Sequence, residues 1–94
     1  MTDSAEDWES IGYILASDYR RKIFFCLDGR FLIPTEIASY TGLNVGHVSD
    51  ILAGLRERDL VECRNPKARK GRLYAHTPKG SSVMASLKKI KSKT

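Results

Sequence analysis

The chain has 94 residues and a net charge of +5, and 41% of its residues are hydrophobic. This length suits one domain, and this composition is that of a globular protein rather than a disordered one. No apolar run approaches the ~20 residues of a membrane span, and the acidic N-terminus differs from the start of a signal peptide. We therefore expect one cytoplasmic domain over residues 1–94 that has no membrane partner.

The charge is distributed unevenly along the chain. The first 18 residues contain five acidic residues and no Lys or Arg, whereas residues 64–94 contain ten Lys and Arg and no acidic residue. Such asymmetry indicates a polyanionic partner that meets the C-terminal third of the chain. The alternative is a solvated basic face that has no partner.

Residues 4–16 have the pattern of a first helix, which Ser4 would cap. Trp8, Ile11 and Leu15 recur at helical spacing and form an apolar stripe. A stripe that includes a Trp offers a large apolar area for an N-terminal helix.

A second helix is predicted over residues 18–28, with the cap signal at Ser17 and with Gly29 stopping it. Its inward side chains are expected to be Tyr19, Ile23, Phe24 and Leu27. The apolar run at residues 31–33 is short, which favours either a stub strand or a buried connector.

Two short helices then follow with a tight turn between them. Pro34 suits the first turn of a helix over residues 34–40, Gly42 is free to take a positive φ in the turn, and Asn44 can cap the next helix. That next helix is predicted over about residues 44–58. Two helices joined by a short turn containing Gly form the helix-turn-helix pattern.

The helix over residues 44–58 has two contrasting faces. One carries an apolar stripe of Val48, Ile51, Leu52 and Leu55. The other carries small or short polar residues, namely Gly46, His47, Ser49, Asp50 and Ala53. A face that lies in a groove against another molecule needs few bulky side chains, so we hypothesise a DNA recognition helix.

A β-hairpin with a basic tip is predicted next, over about residues 61–76. Residues 60–64 and 72–76 alternate between apolar and polar, with Leu73 and Ala75 expected on one face of the second strand. The connector between these segments is rich in turn residues and carries three bases. Thr77 then caps a last helix over about residues 78–90, whose first residue is a Pro.

Four segments carry a resemblance to a known family: residues 19–27, 34–43, 48–61 and 73–80. In their order and spacing they resemble the winged helix-turn-helix regulators of the MarR, ArsR and PadR-like families, including short archaeal relatives. The resemblance implies a mainly α fold with a small β-hairpin wing (α+β) and sequence-specific binding of double-stranded DNA as a transcriptional regulator. Two departures stand out, because Asp50 occupies a position where many relatives carry a base and Asp59 replaces a common Gly.

The candidate DNA contacts lie on the helix-turn-helix and on the wing. They are Thr35, Asn44, Gly46, His47, Ser49 and Asp50, followed by Arg64, Lys67, Arg69, Lys70 and Arg72. Ser can bond several bases and Asp can accept from cytosine N4, whereas wing cations contact phosphates or enter the minor groove. As alternatives, Asn44 acts only as a cap, Asp50 pairs with His47 on the helix surface, and the wing is a solvated loop.

The terminal helices are candidates for pairing two subunits. Their apolar residues, which belong either to the core or to a dimer interface, are Trp8, Ile11, Leu15, Met84, Leu87 and Ile90. We favour a symmetric homodimer that matches a two-fold DNA site. A protein–protein interaction adaptor is the alternative function, because winged helices also serve that role.

The sequence offers little for catalysis or for a cofactor. It has neither paired carboxylates in a plausible cleft, nor a nucleophile with a histidine partner, nor a Gly-rich phosphate loop. Cys26 and Cys63 lie outside any zinc-type spacing, so we expect free, buried thiols. We predict a non-enzymatic protein without metal or cofactor and with little room for an effector pocket.

Overall fold

Five helices and one β-hairpin make up the described part of the chain, for which a computed structural model gives the backbone of residues 5–92 and the side chains of residues 8–90. The elements are α1 (Ala5–Leu15), α2 (Asp18–Cys26), α3 (Pro34–Thr41), α4 (Val45–Glu57), β1 (Val61–Cys63), β2 (Tyr74–His76) and α5 (Pro78–Ser92). Their order confirms the predicted mainly α class with a small β-hairpin. The proposed cap Ser4 lies outside the described residues.

Three of the predicted helix caps form. Ser17, Asn44 and Thr77 each accept a hydrogen bond from the backbone N–H three residues later, at 3.2, 2.9 and 2.9 Å. Each such bond satisfies one N–H that the first helical turn leaves unpaired, which is worth about 1 kcal/mol. Thr77 also donates to the backbone oxygen of Asp59 at 2.6 Å, which ties the start of α5 to the end of α4.

The turns at helix ends use left-handed backbone conformations. Gly42 has a φ of 77° after α3, as predicted. Asp59 has a φ of 62° after α4, a conformation that most side chains avoid but that Asp tolerates. Asp59 therefore performs the structural task for which a Gly is more commonly used.

The core lies between α4 and the other four helices. The largest fully buried side chains are Phe24, Ile14, Ile23, Leu27, Ile37, Leu52, Leu55, Leu60, Val48, Val61 and Val83. The predicted stripe of α4 is confirmed, with Ile51 half-buried at its edge. Tyr19 was wrongly expected to face inward, because it is 44% exposed and contacts the ring of His47 instead.

The hairpin extends into a small three-stranded arrangement. β1 and β2 are antiparallel with Glu62 opposite Ala75, and Leu32 forms a bridge to Tyr74 on the other side of β2. Leu32 and Tyr74 exchange two backbone hydrogen bonds, of 3.1 and 2.8 Å, so the segment before α3 is a stub strand. Tyr74 and Ala75 are both buried, so β2 is covered on both of its faces at these positions.

A close contact seats α5 on the start of the hairpin. A Cβ atom built on Gly80 would lie 2.0 Å from the backbone oxygen of Leu60. No side chain fits at that distance, so only a glycine allows the first turn of α5 to lie this close to β1. The position of the wing therefore depends on α5 as well as on α4.

Candidate nucleic-acid interface

The surface of α4 divides into three strips. Val48, Leu52 and Leu55 form the buried strip, and Gly46, Asp50 and Ala53 recur on the opposite side. We define the outer face of α4 as Gly46, Ser49, Asp50 and Ala53, all of which are exposed. No Lys or Arg occurs in residues 44–55, and Asp50 is the one acidic residue of that range. The outer face is thus low in bulk and almost free of charge.

The third strip of α4 lies beside α1 and α2, with Gly54 half-buried and His47 still exposed. The His47 ring meets Tyr19 edge-on, with 5.4 Å between the ring centroids. A Cβ atom on Gly54 would lie 2.6 Å from the hydroxyl oxygen of Tyr13, so that ring lies directly against the helix. His47 consequently lies at the rim of the outer face, beside α2.

Tyr13 is held between two guanidinium groups. The Cζ atoms of Arg20 and Arg58 each lie 3.8 Å from its ring centroid. Arg20 also donates to the backbone oxygen of Tyr13. These contacts join α1, α2 and the end of α4. They were not predicted from the sequence, in which a Gly inside the apolar helix α4 was the one available signal.

The predicted pairing of His47 with Asp50 does not form. Within residues 8–90, neither a hydrogen bond nor an ion pair joins these two side chains. The carboxylate of Asp50 instead points into solvent at the centre of the outer face. Asn44 acts as the cap of α4, since its side-chain oxygen accepts from the N–H of His47.

Polar side chains fix the shape of the wing loop, which we define as residues 64–73. Asn65 donates to the backbone oxygen of Gly71 at 3.0 Å and accepts from the N–H of Leu73 at 2.7 Å. Gly71 has a φ of 64°, which returns the chain toward β2. Asn65 therefore closes the loop at its base.

Arg72 braces the wing loop from within. Its Nε donates to the backbone oxygen of Ala68 at 3.0 Å, and its Nη2 donates to that of Pro66 at 3.2 Å. Arg64 forms an ion pair with Glu62 at 3.0 Å and covers the ring of Phe31. Two of the five predicted wing contacts are thus engaged with the protein itself.

The other three wing cations extend into solvent. Lys67, Arg69 and Lys70 are exposed, and none of them forms an ion pair within the described side chains. They therefore carry the positive charge of the wing that is available to a partner.

One groove brings predicted residues from three elements together. Its volume is about 270 Å³, and its lining includes Thr35 from α3, Ser49 from α4, and Arg69 and Arg72 from the wing loop. Thr35 is the second residue of α3, where the helix dipole favours an anion. The structure thereby connects the outer face of α4 to the wing through a concave strip that suits a phosphate backbone.

The six residues predicted for a dimer interface fall into two groups. Ile11, Met84 and Leu87 are 6%, 3% and 2% exposed and lie in the core of the chain, so we correct their assignment to the core. Trp8, Leu15 and Ile90 are 66%, 39% and 40% exposed and remain available to a partner. The reason is that α1 and α5 pack on each other, which uses the inner half of each stripe.

A second groove is larger than the sequence led us to expect. Its volume is about 840 Å³, and it is lined by Leu15, Arg21, Lys22, Phe25, Cys26, Arg30, Tyr40, Thr41, Leu87 and Ile90. The prediction of little room for a pocket is therefore wrong. Cys26 is a free thiol there, as predicted, and burial raises its pKa, although nearby Arg30 acts in the opposite direction.

Neither metal ligands nor membrane spans are found in the described residues. No three His, Cys, Asp or Glu side chains within that part of the chain are grouped to hold a metal ion. None of the helices described above has the length and apolar character to cross a membrane.

No protein-family model matches the chain, and no curated protein sequence matches it. Solved structures do. The homodimeric winged helix-turn-helix DNA-binding domain Mb0332 from Mycobacterium bovis, described as a possible ArsR-family transcriptional regulator, has a TM-score of 0.71 at 23% identity over 94% of this chain and 80% of that chain. NMB1585, a MarR family regulator from Neisseria meningitidis, has a TM-score of 0.74 at 20% identity over 90% of this chain and 61% of that chain. The transcriptional repressor CouR, bound to a 23-mer DNA duplex, has a TM-score of 0.70 at 24% identity over 92% of this chain and 65% of that chain.

These similarities establish the fold. The chain has the winged helix-turn-helix fold seen in regulators of the MarR and ArsR families, which confirms the predicted fold and its resemblance to those structures. In this fold α3 and α4 are the helix-turn-helix, and the β1–β2 hairpin is the wing.

Proposed function

We propose that this protein is a sequence-specific, double-stranded DNA-binding transcriptional regulator that acts in the cytoplasm without catalysis. The observation that carries the proposal is the continuity between an outer face of α4 without long side chains and a cationic wing, through the groove at Thr35, Ser49 and Arg69. The major groove of DNA is wide enough to admit an α-helix, and short side chains let the helix backbone approach the base edges closely. The DNA duplex bound by CouR, a protein of the same fold, supports this reading.

Each part of the interface has its own task. α4 lies in the major groove, where Ser49 and Asp50 approach base edges and Asp50 accepts from cytosine N4. Lys67, Arg69 and Lys70 hold phosphates or enter the minor groove, while Thr35 supports the backbone contact. Gly46 lets the helix approach the DNA closely. Asn44 and His47 flank the start of the helix. The side-chain oxygen of Asn44 caps the helix, and its amide nitrogen can donate to DNA.

We further propose a homodimer. Trp8, Leu15 and Ile90 give the terminal helices exposed apolar surface, and the Mycobacterium bovis domain of the same fold is homodimeric. A two-fold dimer would present two copies of α4 to half-sites about one helical turn of DNA apart.

The experiment is selection of bound duplexes from a random pool at two salt concentrations. We expect a palindromic site, and a dimer affinity that falls roughly ten-thousandfold between about 50 and 200 mM salt if each of the two subunits neutralises about four phosphates. Recovery of no sequence, together with salt-insensitive binding to a protein partner, would instead identify an interaction adaptor.

A further inference from the structure

The exposed side of α1 has a distinctive relief. Trp8, Gly12 and Leu15 recur at helical spacing and all face solvent, whereas Ile11 and Ile14 on the adjoining, inner side of the helix are buried. Apart from Gly12 itself, its chain neighbours and the backbone of its own helix, no described atom lies within 4 Å of the position that a Cβ atom on Gly12 would occupy. Large side chains therefore project at the two ends of the stripe and none projects at Gly12, which lets a second helix cross closely there.

The larger groove begins where this stripe ends. Leu15 belongs to both, and Phe25, Cys26 and Leu87 give the groove an apolar lining. Three cations also line it, Arg21, Lys22 and Arg30, and no acidic residue does. Arg21 pairs with Asp18 of its own chain, so Lys22 and Arg30 supply most of the positive charge. A suitable occupant therefore combines a large apolar side chain with negative charge.

The first helix of a second copy has that combination. Helix α1 contains three acidic residues, no Lys or Arg, and the one Trp of the chain. When two copies of α1 cross antiparallel on a two-fold axis at Gly12, residue 8 of each faces residue 16 of the other, next to Leu15. These positions lie about 6 Å from the axis, at the mouth of the groove.

We propose that the groove of about 840 Å³ is the socket for Trp8 of a second copy of this chain, a proposal that rests on the proposed homodimer. The indole lies on the apolar lining, and the acidic residues of the incoming helix face the cations of the rim. Because the arrangement is two-fold, each subunit provides one Trp and one socket. Buried Trp residues surrounded by complementary charge are typical interface hot spots.

The first test uses Trp8 both as contact and as reporter. Sedimentation equilibrium gives the dimer dissociation constant, and the emission of the single Trp is followed over the same concentrations without DNA. We expect emission to shift to shorter wavelength as the dimer forms, and Trp8→Ala to raise the dissociation constant roughly 30-fold. The matched control is Phe31→Ala, which removes an aromatic ring that is 53% exposed and lies outside the groove, and should leave the constant unchanged.

The second test exchanges charge across the proposed contact. Lys22→Glu and Glu9→Lys should each weaken the dimer, and the double variant should recover most of the loss because the opposite charges face each other again. Since both side chains are exposed, folding should be unaffected. Additive losses in the double variant would contradict the contact.

The outcomes separate this inference from the proposals on which it rests. A dimer that forms with solvent-exposed Trp8 emission, or that Trp8→Ala leaves intact, overturns the socket while the homodimer stands. A chain that stays monomeric overturns both. DNA binding is measured independently in the duplex selection, so its failure would leave the socket to be judged by sedimentation and emission alone.

Discussion

The outer face of α4 and the wing loop present opposite kinds of surface beside one groove. The outer face has short side chains and a single charge, that of Asp50, whereas the wing loop carries five cations and no acidic residue. In the proposed complex, α4 would approach the bases of DNA closely, whereas the wing loop would attract its phosphates. A helix without long side chains can reach base edges, but the free energy of phosphate binding has to come from elsewhere.

The two regions are also held in place by different forces. The buried stripe of Val48, Leu52 and Leu55 fixes α4 in the core. The wing loop has few buried residues, and hydrogen bonds from Asn65 and Arg72 to loop backbone atoms fix its shape. Cations on an otherwise flexible loop would lose conformational entropy on binding, so this bracing reduces the cost of binding.

The largest expected effect comes from removing the free charge of the wing. Changing Lys67, Arg69 and Lys70 together to Ala should weaken binding to every duplex roughly a hundredfold per bound subunit and flatten the salt slope by about 2.7 per bound subunit, because each subunit loses three phosphate contacts. Fluorescence anisotropy over a salt series measures both. The control removes three charges from α5, at Lys79, Lys89 and Lys91, and should change the slope much less. Equal effects of the two variants would remove the wing from the interface.

A pair of single variants distinguishes contact from bracing inside the wing. Arg69→Gln and Arg72→Gln should each weaken binding roughly tenfold, but only Arg69→Gln should lower the salt slope, by about 0.9 per bound subunit. Arg72→Gln removes the donors that hold the carbonyls of Pro66 and Ala68, so it disorders the loop without removing a phosphate contact. A lowered slope in Arg72→Gln would show that this guanidinium binds phosphate directly.

The single charge of the outer face allows a test of specificity. Asp50→Asn should raise affinity for random duplexes severalfold, because a carboxylate near phosphates is removed. The same change should reduce discrimination at one base pair of the selected site by about 1–3 kcal/mol. Asp59→Asn is the control, since it removes a carboxylate at the end of α4 in a backbone conformation that Asn also tolerates. An unchanged site preference would exclude base contact by Asp50.

The smallest expected effect is a pH dependence at the base of the wing. His76 ends β2, where its Nε2 donates to the backbone oxygen of Phe24 at 2.8 Å and its ring stacks on that side chain. Burial lowers the pKa of His76 below its ordinary value of 6.5. The folded state therefore favours the neutral ring, and the free energy of unfolding should fall as the pH drops below about 6.5. Urea unfolding at pH 7.5 and 5.5 measures the loss, which should shrink in His76→Gln.

Local features of the sequence were sufficient for the helices and their caps. A cap depends on one side chain and a backbone N–H three residues away, so Ser17, Asn44 and Thr77 could be identified without the fold. The buried stripe of α4 was also predictable, because helical spacing alone brings those residues to one side. The asymmetry of charge pointed to the wing for the same reason, since it is a property of consecutive residues.

What the tertiary structure decided was the use of each amphipathic or charged side chain. Arg69 and Arg72 are both arginines of the wing loop. Arg72 donates hydrogen bonds to loop carbonyls, whereas Arg69 extends into solvent. Ile11 and Trp8 share one helical stripe, yet only Ile11 is buried in the core. The sequence determined the elements, their order and the sign of the charge, because these follow from local periodicity and composition. Which atoms remain available to a partner depended on contacts between segments far apart in the chain, and only the folded structure specifies those.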